Sequence, residues 1–582
     1  MIMWTMNQLL KNVGNFVYRG KPFWSKLCFW AMGIGSIIWF LIRVIPKPSR
    51  ATYPCQQAAF PIASAFVIWL TGVIASMFGI KYLGKIFARY RWFVLGSSAL
   101  VVIVLSLWMT VIPSGITDSF AALQDTTYKP AVGFDWKPGV SNAPIGEARG
   151  IYPGRVVMAR NPLATKWAGN WKLNEDQWWL DKNTDVTKVN EMLSATLQRL
   201  TGTNKDKDAW DRIFKFYNQK VRGISKQGCK PGEIVLVKIN LNNSSLTKVD
   251  NQTDASPQMV LSMVRQLVYN AGVNQKDILV YDARRAIYPY MLLEIWKEFK
   301  DVRFVQGKPL DKSQPVNPAY GDYTGLEIAD WVEGISYSAG NFKDAKLIPR
   351  QVKEGTYLVN LALLKLHSYP YNYMEDGDEG QTAITMTGKN HAGSIKGTPE
   401  LHSILNTKQE GTKNAWSPLV DLAASPNLGG KTILYLLDGL YCGRKYRSYP
   451  LHFPNPPFNN KVVPYENPEW PACVLASLDG VAIQSVGLDL IYAQSKNNHE
   501  ATYHNVPRIL VRENADDVLR EMAIPENAPS GVKYMQAGKP VKSLGVFEHW
   551  DGDATMRYSR NIDPKKGKGI EFLFLPKGEP VK

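Results

Sequence analysis

Hydrophobic and polar positions follow two different rules along this chain, and the change falls near residue 117. Before it, three uncharged stretches, Leu27–Ile42, Ala51–Ile80 and Trp92–Thr117, are apolar without any strand or helix period. A helix needs about 20 apolar residues to cross a bilayer core. The second and third stretches meet that length, and the first reaches it when Lys26 and Arg43 extend toward the two interfaces. Trp30, Trp39, Trp69, Trp92 and Trp108 lie where indole rings favour the interface. A cleaved signal peptide has a single short apolar run, so three in succession predict three transmembrane helices within residues 1–117.

Residues 118–153, rich in Pro, Gly, Ser and Thr, read as a linker and lead-in. Beyond them the period alternates between strand-like and helix-like. Strands are predicted at Val156–Ala159, Glu233–Leu241, Asp277–Tyr281, Val302–Gln306, Thr356–Leu363 and Lys431–Leu437. Helices are predicted at Asp185–Leu200 with Asn183 or Thr184 as cap, from Ser256-Pro257 to Ala271 with Gly272 as stop, at Tyr288–Lys300, and from Ser477 or Asp479 through Tyr492. The run EIVLVKINL from Glu233 is nearly continuous and β-branched, as a strand buried on both faces requires. Strand, helix, strand at this spacing predicts an α/β fold over residues 154–582, a mostly parallel, Rossmann-like sheet flanked by helices. Two insertions interrupt it: residues 368–381, with the acidic run EDGDEG, and residues 443–471, rich in proline and aromatic side chains. Ordered loops of such length commonly act as lids or binding loops.

Charge changes this picture in one way: it orients the chain. Residues 1–113 contain eleven Lys or Arg and no Asp or Glu. Eight of these flank one side of the predicted spans (Lys11, Arg19, Lys21, Lys26, Lys81, Lys85, Arg89, Arg91) and three the other (Arg43, Lys47, Arg50). The positive-inside rule then puts the N-terminus in the cytoplasm and the large C-terminal part outside it, in a multi-pass protein of a bacterial-type inner (plasma) membrane. The basic loop between the second and third spans would rest on the anionic leaflet of the bilayer. The net charge of +17 is no nucleic-acid footprint. With the membrane segment set aside, 57 basic residues face 51 acidic ones, and no basic run with interleaved aromatics occurs. Cys229, Cys442 and Cys473 could supply one disulfide in an oxidising compartment, with a thiol left over. No two cysteines have zinc-ribbon or iron–sulfur spacing, and no dinucleotide fingerprint is present.

Candidate chemistry collects where ligands bind in such folds, beyond the carboxyl ends of parallel strands. Lys238 and Asn240 end one strand, Lys365 and His367 another, and Asp438 a third; Lys389, Asn390 and His391 lie in the glycine-flanked GKNHAG turn, and Asp479 opens a helix. Each has a plain structural alternative: a lysine reaching solvent, a satisfied histidine, an Asp-Gly turn, a helix cap. Together they suit an anionic ligand such as a phosphate or carboxylate, or a metal held by His and Asp. The EDGDEG run lacks the spacing of a calcium loop and reads as a solvated acidic loop. His549, Asp551 and Asp553 in FEHWDGD form either a late ligand set or a polar turn. No Gly-x-Ser-x-Gly elbow, Walker loop or His-Glu-x-x-His helix occurs.

The ordered series KIN at Lys238, LLKLH ending at His367, GKNHAG from Gly388, LVDL at Asp421, LLDGLYCG from Leu436 and SLDGVAIQSVGLDLI from Ser477 resembles the Domain of Unknown Function family 362. The resemblance spans about residues 154–510 and implies an α/β fold. Many relatives carry a ferredoxin-like iron–sulfur domain, which has no counterpart here. The chain departs from the family pattern after Asp479, with Gly480 and Gln484 where the family has a proline and a second aspartate. A mechanism needing two carboxylates or two metals on that helix is thereby weakened.

The expectation is a membrane-anchored extracytoplasmic protein that binds, and acts on, an anionic small molecule or envelope-derived headgroup. Lys238, Asn240, Lys365, Lys389 and Asn390 would bind the ligand; His367 or His391 would carry a proton; Asp438 and Asp479 would orient a base or bind a metal. A hydrolase or transferase fits this set. The alternatives are a non-catalytic binding or assembly module of a membrane complex, and a redox protein fed by a partner subunit. Cofactor and metal are left open.

Overall fold

Alternate residues of each central strand feed two separate hydrophobic cores, one on either side of a single sheet. Val156 and Met158, Leu236, Leu279 and Tyr281, and Leu358 and Ala362 enter one core. Val157 and Ala159, Val235 and Val237, Ile278 and Val280, and Val359 and Leu361 enter the other. This is the period of two acting on strands that are buried on both faces. The computed structural model describes residues 140–575, apart from 170–175, 243–250, 308–324, 370–380, 384, 402–415, 444–448, 454, 456, 459–469 and 496–512. The three predicted spans, the acidic insertion and most of the proline-rich one lie outside the described residues. None of the described helices is long and apolar enough to cross a membrane.

The main sheet is built from β1 (Arg155–Arg160), β2 (Val235–Lys238), β3 (Ile278–Asp282), β4 (Arg303–Gln306), β5 (Leu326–Ile328), β6 (Tyr357–Lys365), β7 (Thr432–Gly443), β8 (Pro450–Leu451), β9 (Cys473–Ser477) and β10 (Glu571–Leu575). Their spatial order is β10-β1-β9-β7-β6-β2-β3-β4-β5, with the short β8 on the end of β7. Along that order every pair is parallel except the two made by β9, which runs against β1 and β7. The mostly parallel sheet flanked by helices is therefore as expected, and the reversed strand β9 is an addition. Nothing in CVLAS marks its direction, because pairing sense is a property of the neighbours.

One face is covered by α1 (Val186–Thr201), α2 (Asp206–Lys220), α3 (Pro257–Arg265) and α4 (Pro289–Trp296). The other carries α5 (Met386–Asn390), α6 (Pro418–Ala424), α7 (Gly480–Ser495) and α8 (Glu513–Ala523). Helix boundaries follow local chemistry. Asp185, rather than Asn183 or Thr184, caps α1 by accepting from the Thr187 and Lys188 amides. The Ser256 hydroxyl caps α3 at Met259 N, 3.1 Å away, with Pro257 in the first turn. That helix widens into a π turn over Gln266–Asn270 and stops before Gly272, whose φ of +71° suits glycine. Cys229, Cys442 and Cys473 are free thiols, so no disulfide joins them.

Connectivity decides where a site can form. From β2 the chain steps outward through β3, β4 and β5, then returns to place β6 on the other side of β2. Their carboxyl ends diverge from this reversal, and such a switch point leaves a crevice. β7 adds a register irregularity between Asp438 and Gly443 against β6, of the kind that re-aims side chains at a sheet end.

Candidate functional site

Lys238 closes β2 at the switch point and is fully buried. Its three ammonium hydrogens are all committed: to the Ile239 carbonyl, to Asp282 Oδ2 at 3.0 Å and to Asn390 Oδ1 at 3.0 Å. Burial lowers its pKa, and the Asp282 carboxylate works against that. Gly393 passes directly over this pair. A Cβ there would lie 2.6 Å from Lys238 Nζ and 2.8 Å from Asp282 Oδ2, so only glycine fits. Asn390 is likewise saturated, accepting from Lys238 and Asn240 and donating to the Lys238 carbonyl at 3.1 Å and Asn360 Oδ1 at 2.8 Å. Lys238 and Asn390 thus form the buried frame of the crevice, not free ligand-binding groups. Asn240 is half-buried and gives its amide N–H to Asn390, leaving its Oδ1 without a protein partner.

Lys365, at the end of β6, and Lys389, at the end of α5, form a second group on the same edge. Both are buried. Burial pushes Lys365 down to about 8, against the opposing charge of Asp254; its Nζ donates to Thr385 Oγ1 at 3.4 Å. Lys389 is held well below an ordinary lysine, first by burial and then by the positive charge of Lys365 itself. The two ammonium positions are therefore close enough to repel. At the first residue of α5 the backbone turns through Met386 at φ +47°, a strained conformation for a residue with a side chain.

Asp438 lies nearby on β7, where Ser256 N and Leu440 N each donate to its carboxylate at 3.1 Å. Burial raises its pKa against those hydrogen bonds. His391 is buried and pushed down to about 3 by burial and by the Lys238 charge, so it is neutral at any physiological pH. His367 opens a short strand, His367–Tyr369, paired antiparallel with Gln381–Ala383; its side chain lies outside the described residues.

Asp479 is a correction. Because β9 is antiparallel, its carboxyl end at Ser477 lies beside Val156 and Tyr435, toward the amino ends of the parallel strands. Asp479 therefore sits at the opposite edge of the sheet from Lys365. Its carboxylate accepts from the amides of Arg149, Val481, Ala482 and Val546 at 2.9–3.2 Å, and burial raises its pKa to about 6. It is the cap of α7 and a tie between three segments. Gln484, one turn on, accepts from Gly388 N at 3.1 Å and so braces α5.

Two participants escaped the sequence reading. Asn360 interrupts the apolar run of β6, and that interruption was the available signal. Asp282 ends β3 as part of an unremarkable YDARR segment. Of the FEHWDGD candidates, His549 lies away from these lysines and bridges Asp489 Oδ1 on α7 and Asp516 Oδ2 on α8, each at 3.0 Å. Asp551 of the same FEHWDGD segment instead binds Arg557, and Asp553 lies 3.3 Å from Trp550 Nε1. Among the described residues no group of three His, Cys, Asp or Glu is placed to hold a metal ion. The molecule so defined is a mixed α/β protein with three buried lysines, Lys238, Lys365 and Lys389, gathered toward the carboxyl edge of its parallel strands. The chain matches no family model, no curated protein and no solved structure.

Proposed function

We propose that this chain is a membrane-tethered α/β protein that binds an anionic small molecule, bearing phosphate or carboxylate, at the carboxyl edge of its sheet. Lys365 and Lys389 are its cationic ligands, and Lys238, Asn360 and Asn390 are the frame behind them. The observation that carries the reading is the pair of buried lysines, near enough that the charge of Lys365 depresses Lys389. Burial and mutual repulsion both oppose the charged forms of these lysines, an arrangement expected where function requires it. An anion between them would offset both repulsion and desolvation. The tether and the extracytoplasmic placement rest on the apolar runs and basic flanks of residues 1–117.

If the bound molecule is also transformed, Lys365 is the proton carrier. At about 8 it gives and takes a proton near neutrality, and Asp438 is the carboxyl group on the same edge. A non-catalytic binding module is favoured by two specific observations: His391 stays neutral, and Asp479 is consumed as a helix cap.

Calorimetric titration of inorganic phosphate and of a small dicarboxylate into wild type and Lys389→Met tests the binding. The variant should lose binding, and phosphate should raise the melting temperature of the wild type but not of the variant. A lysine that instead neutralises a buried carboxylate would cost roughly 3–5 kcal/mol on removal. A large fall in melting temperature therefore removes Lys389 from the site.

A further inference from the structure

On the α7 face of the sheet lies a cavity of about 20 Å³, lined among others by Arg149, Thr387, Gly388, His391, Tyr435 and Gln484. Such a volume admits about one water-sized occupant. What that occupant must be follows from the hydrogen bonds behind His391. Asn390 has a fixed orientation, because the Lys238 ammonium can only donate to it and the Lys238 carbonyl can only accept from it. Its amide nitrogen therefore donates to Asn360 Oδ1 at 2.8 Å. Asn360 is fixed in turn: its nitrogen donates to the Thr387 carbonyl at 2.9 Å, and its second hydrogen points at His391 Nε2, 3.1 Å away.

Nε2 of His391 must then accept, which places the single ring proton on Nδ1. That nitrogen is buried and has no protein partner, on a residue only 1 % exposed. The chain of donors runs one way, from the Lys238 ammonium through Asn390 and Asn360 to His391, which is one of the residues lining the cavity. Each bond in such a series polarises the next. The other polar groups do not compete for the proton: Thr387 Oγ1 and Gln484 Nε2 both donate to the Gly480 carbonyl, at 3.3 and 2.6 Å. Arg149 adds a cation to the wall.

We infer that this cavity is a second binding site, specific for one small hydrogen-bond acceptor, a water molecule or a halide ion, held by His391 Nδ1–H. The site is separate from the Lys365–Lys389 crevice and does not depend on that assignment. It has no room for a phosphate or carboxylate.

The test is nitrogen NMR on the full chain labelled with ¹⁵N-histidine. There are seven histidines, and a His391→Gln spectrum identifies the signal that belongs to this one. The expected result is protonated Nδ1 and bare Nε2, unchanged across roughly pH 5 to 8, where an ordinary histidine changes charge. Bromide titrated against sulfate at matched ionic strength separates the two occupants. A saturating shift of Nδ1 identifies a halide. No shift, with magnetisation passing from water protons to Nδ1, identifies water. A titrating His391, a proton on Nε2, or an Nδ1–H that responds to neither halide nor water overturns the inference. Asn360→Asp should reverse the tautomer by turning the donor to Nε2 into an acceptor, with loss of the Nδ1–H signal. Should that variant not fold, the wild-type spectra decide alone.

Discussion

Replacing His549 by glutamine removes an imidazolium from between two buried carboxylates, and the consequence is large enough to measure. His549 binds Asp489 on α7 and Asp516 on α8; Tyr558 Oη and Trp550 N add hydrogen bonds to Asp489 at 2.8 and 3.2 Å. Burial lowers the imidazole pKa, but the charges and hydrogen bonds of Asp489 and Asp516 outweigh it and raise the value from 6.5 to about 9. A group whose folded pKa is raised stabilises fully below its unfolded value and loses that contribution as pH rises through the folded one. The window is therefore pH 6.5 to about 9. A gap of this size corresponds to about 3 kcal/mol, at roughly 1.4 kcal/mol per unit. Lys365 and Lys431, both depressed to about 8, titrate in an overlapping range with the opposite sign. The wild type must for that reason be compared with His549→Gln at each pH. Urea unfolding followed by tryptophan fluorescence gives both stabilities. The wild-type advantage should be greatest near the low end of the window and shrink by about 3 kcal/mol across it. An advantage that stays constant, or grows with pH, would refute the assignment of a charged His549 in the folded state.

Lys238→Met should destabilise by roughly 3–5 kcal/mol, because Asp282 is left as a buried, uncompensated charge; the loss shows in a melting curve. Asp479→Ala should cost about 2 kcal/mol or more, as a lost cap that also strands buried N–H groups, while phosphate affinity stays at the wild-type value because the residue lies at the opposite edge. A periplasm-active reporter fused after Asp118 should be active and one fused within residues 81–91 inactive; the reverse pattern would invert the topology.

Much of the fold was legible because burial writes itself into residue type. The runs at Val235, Ile278, Arg303, Tyr357 and Thr432 are apolar enough to be buried strands, and each is found within a few residues of its predicted limits, although β7 runs six residues past its expected end, to Gly443. The carboxyl-edge rule likewise brought Lys238, Lys365, Lys389, Asn390, His391 and Asp438 into consideration together. What could not be read was how polar groups divide between framework and free function. Lys238 and Lys365 are both strand-end lysines, yet one has its three donors satisfied and the other lies beside a second lysine. That difference depends on Asp282 and Asn390, which are distant in sequence.

The sequence by itself determined the alternation of strands and helices, the two-sided burial of the sheet and the candidate residues at strand ends, because these follow from side-chain period and local capping. Tertiary structure alone decided the antiparallel sense of β9, and with it the removal of Asp479 from the site. It also decided the one-way hydrogen-bond series ending at His391 and the bridge from Asp489 through His549 to Asp516. The physical reason is common to all of these: strand direction, hydrogen-bond polarity and charge pairing are relations between residues far apart in the chain, and no local pattern carries them.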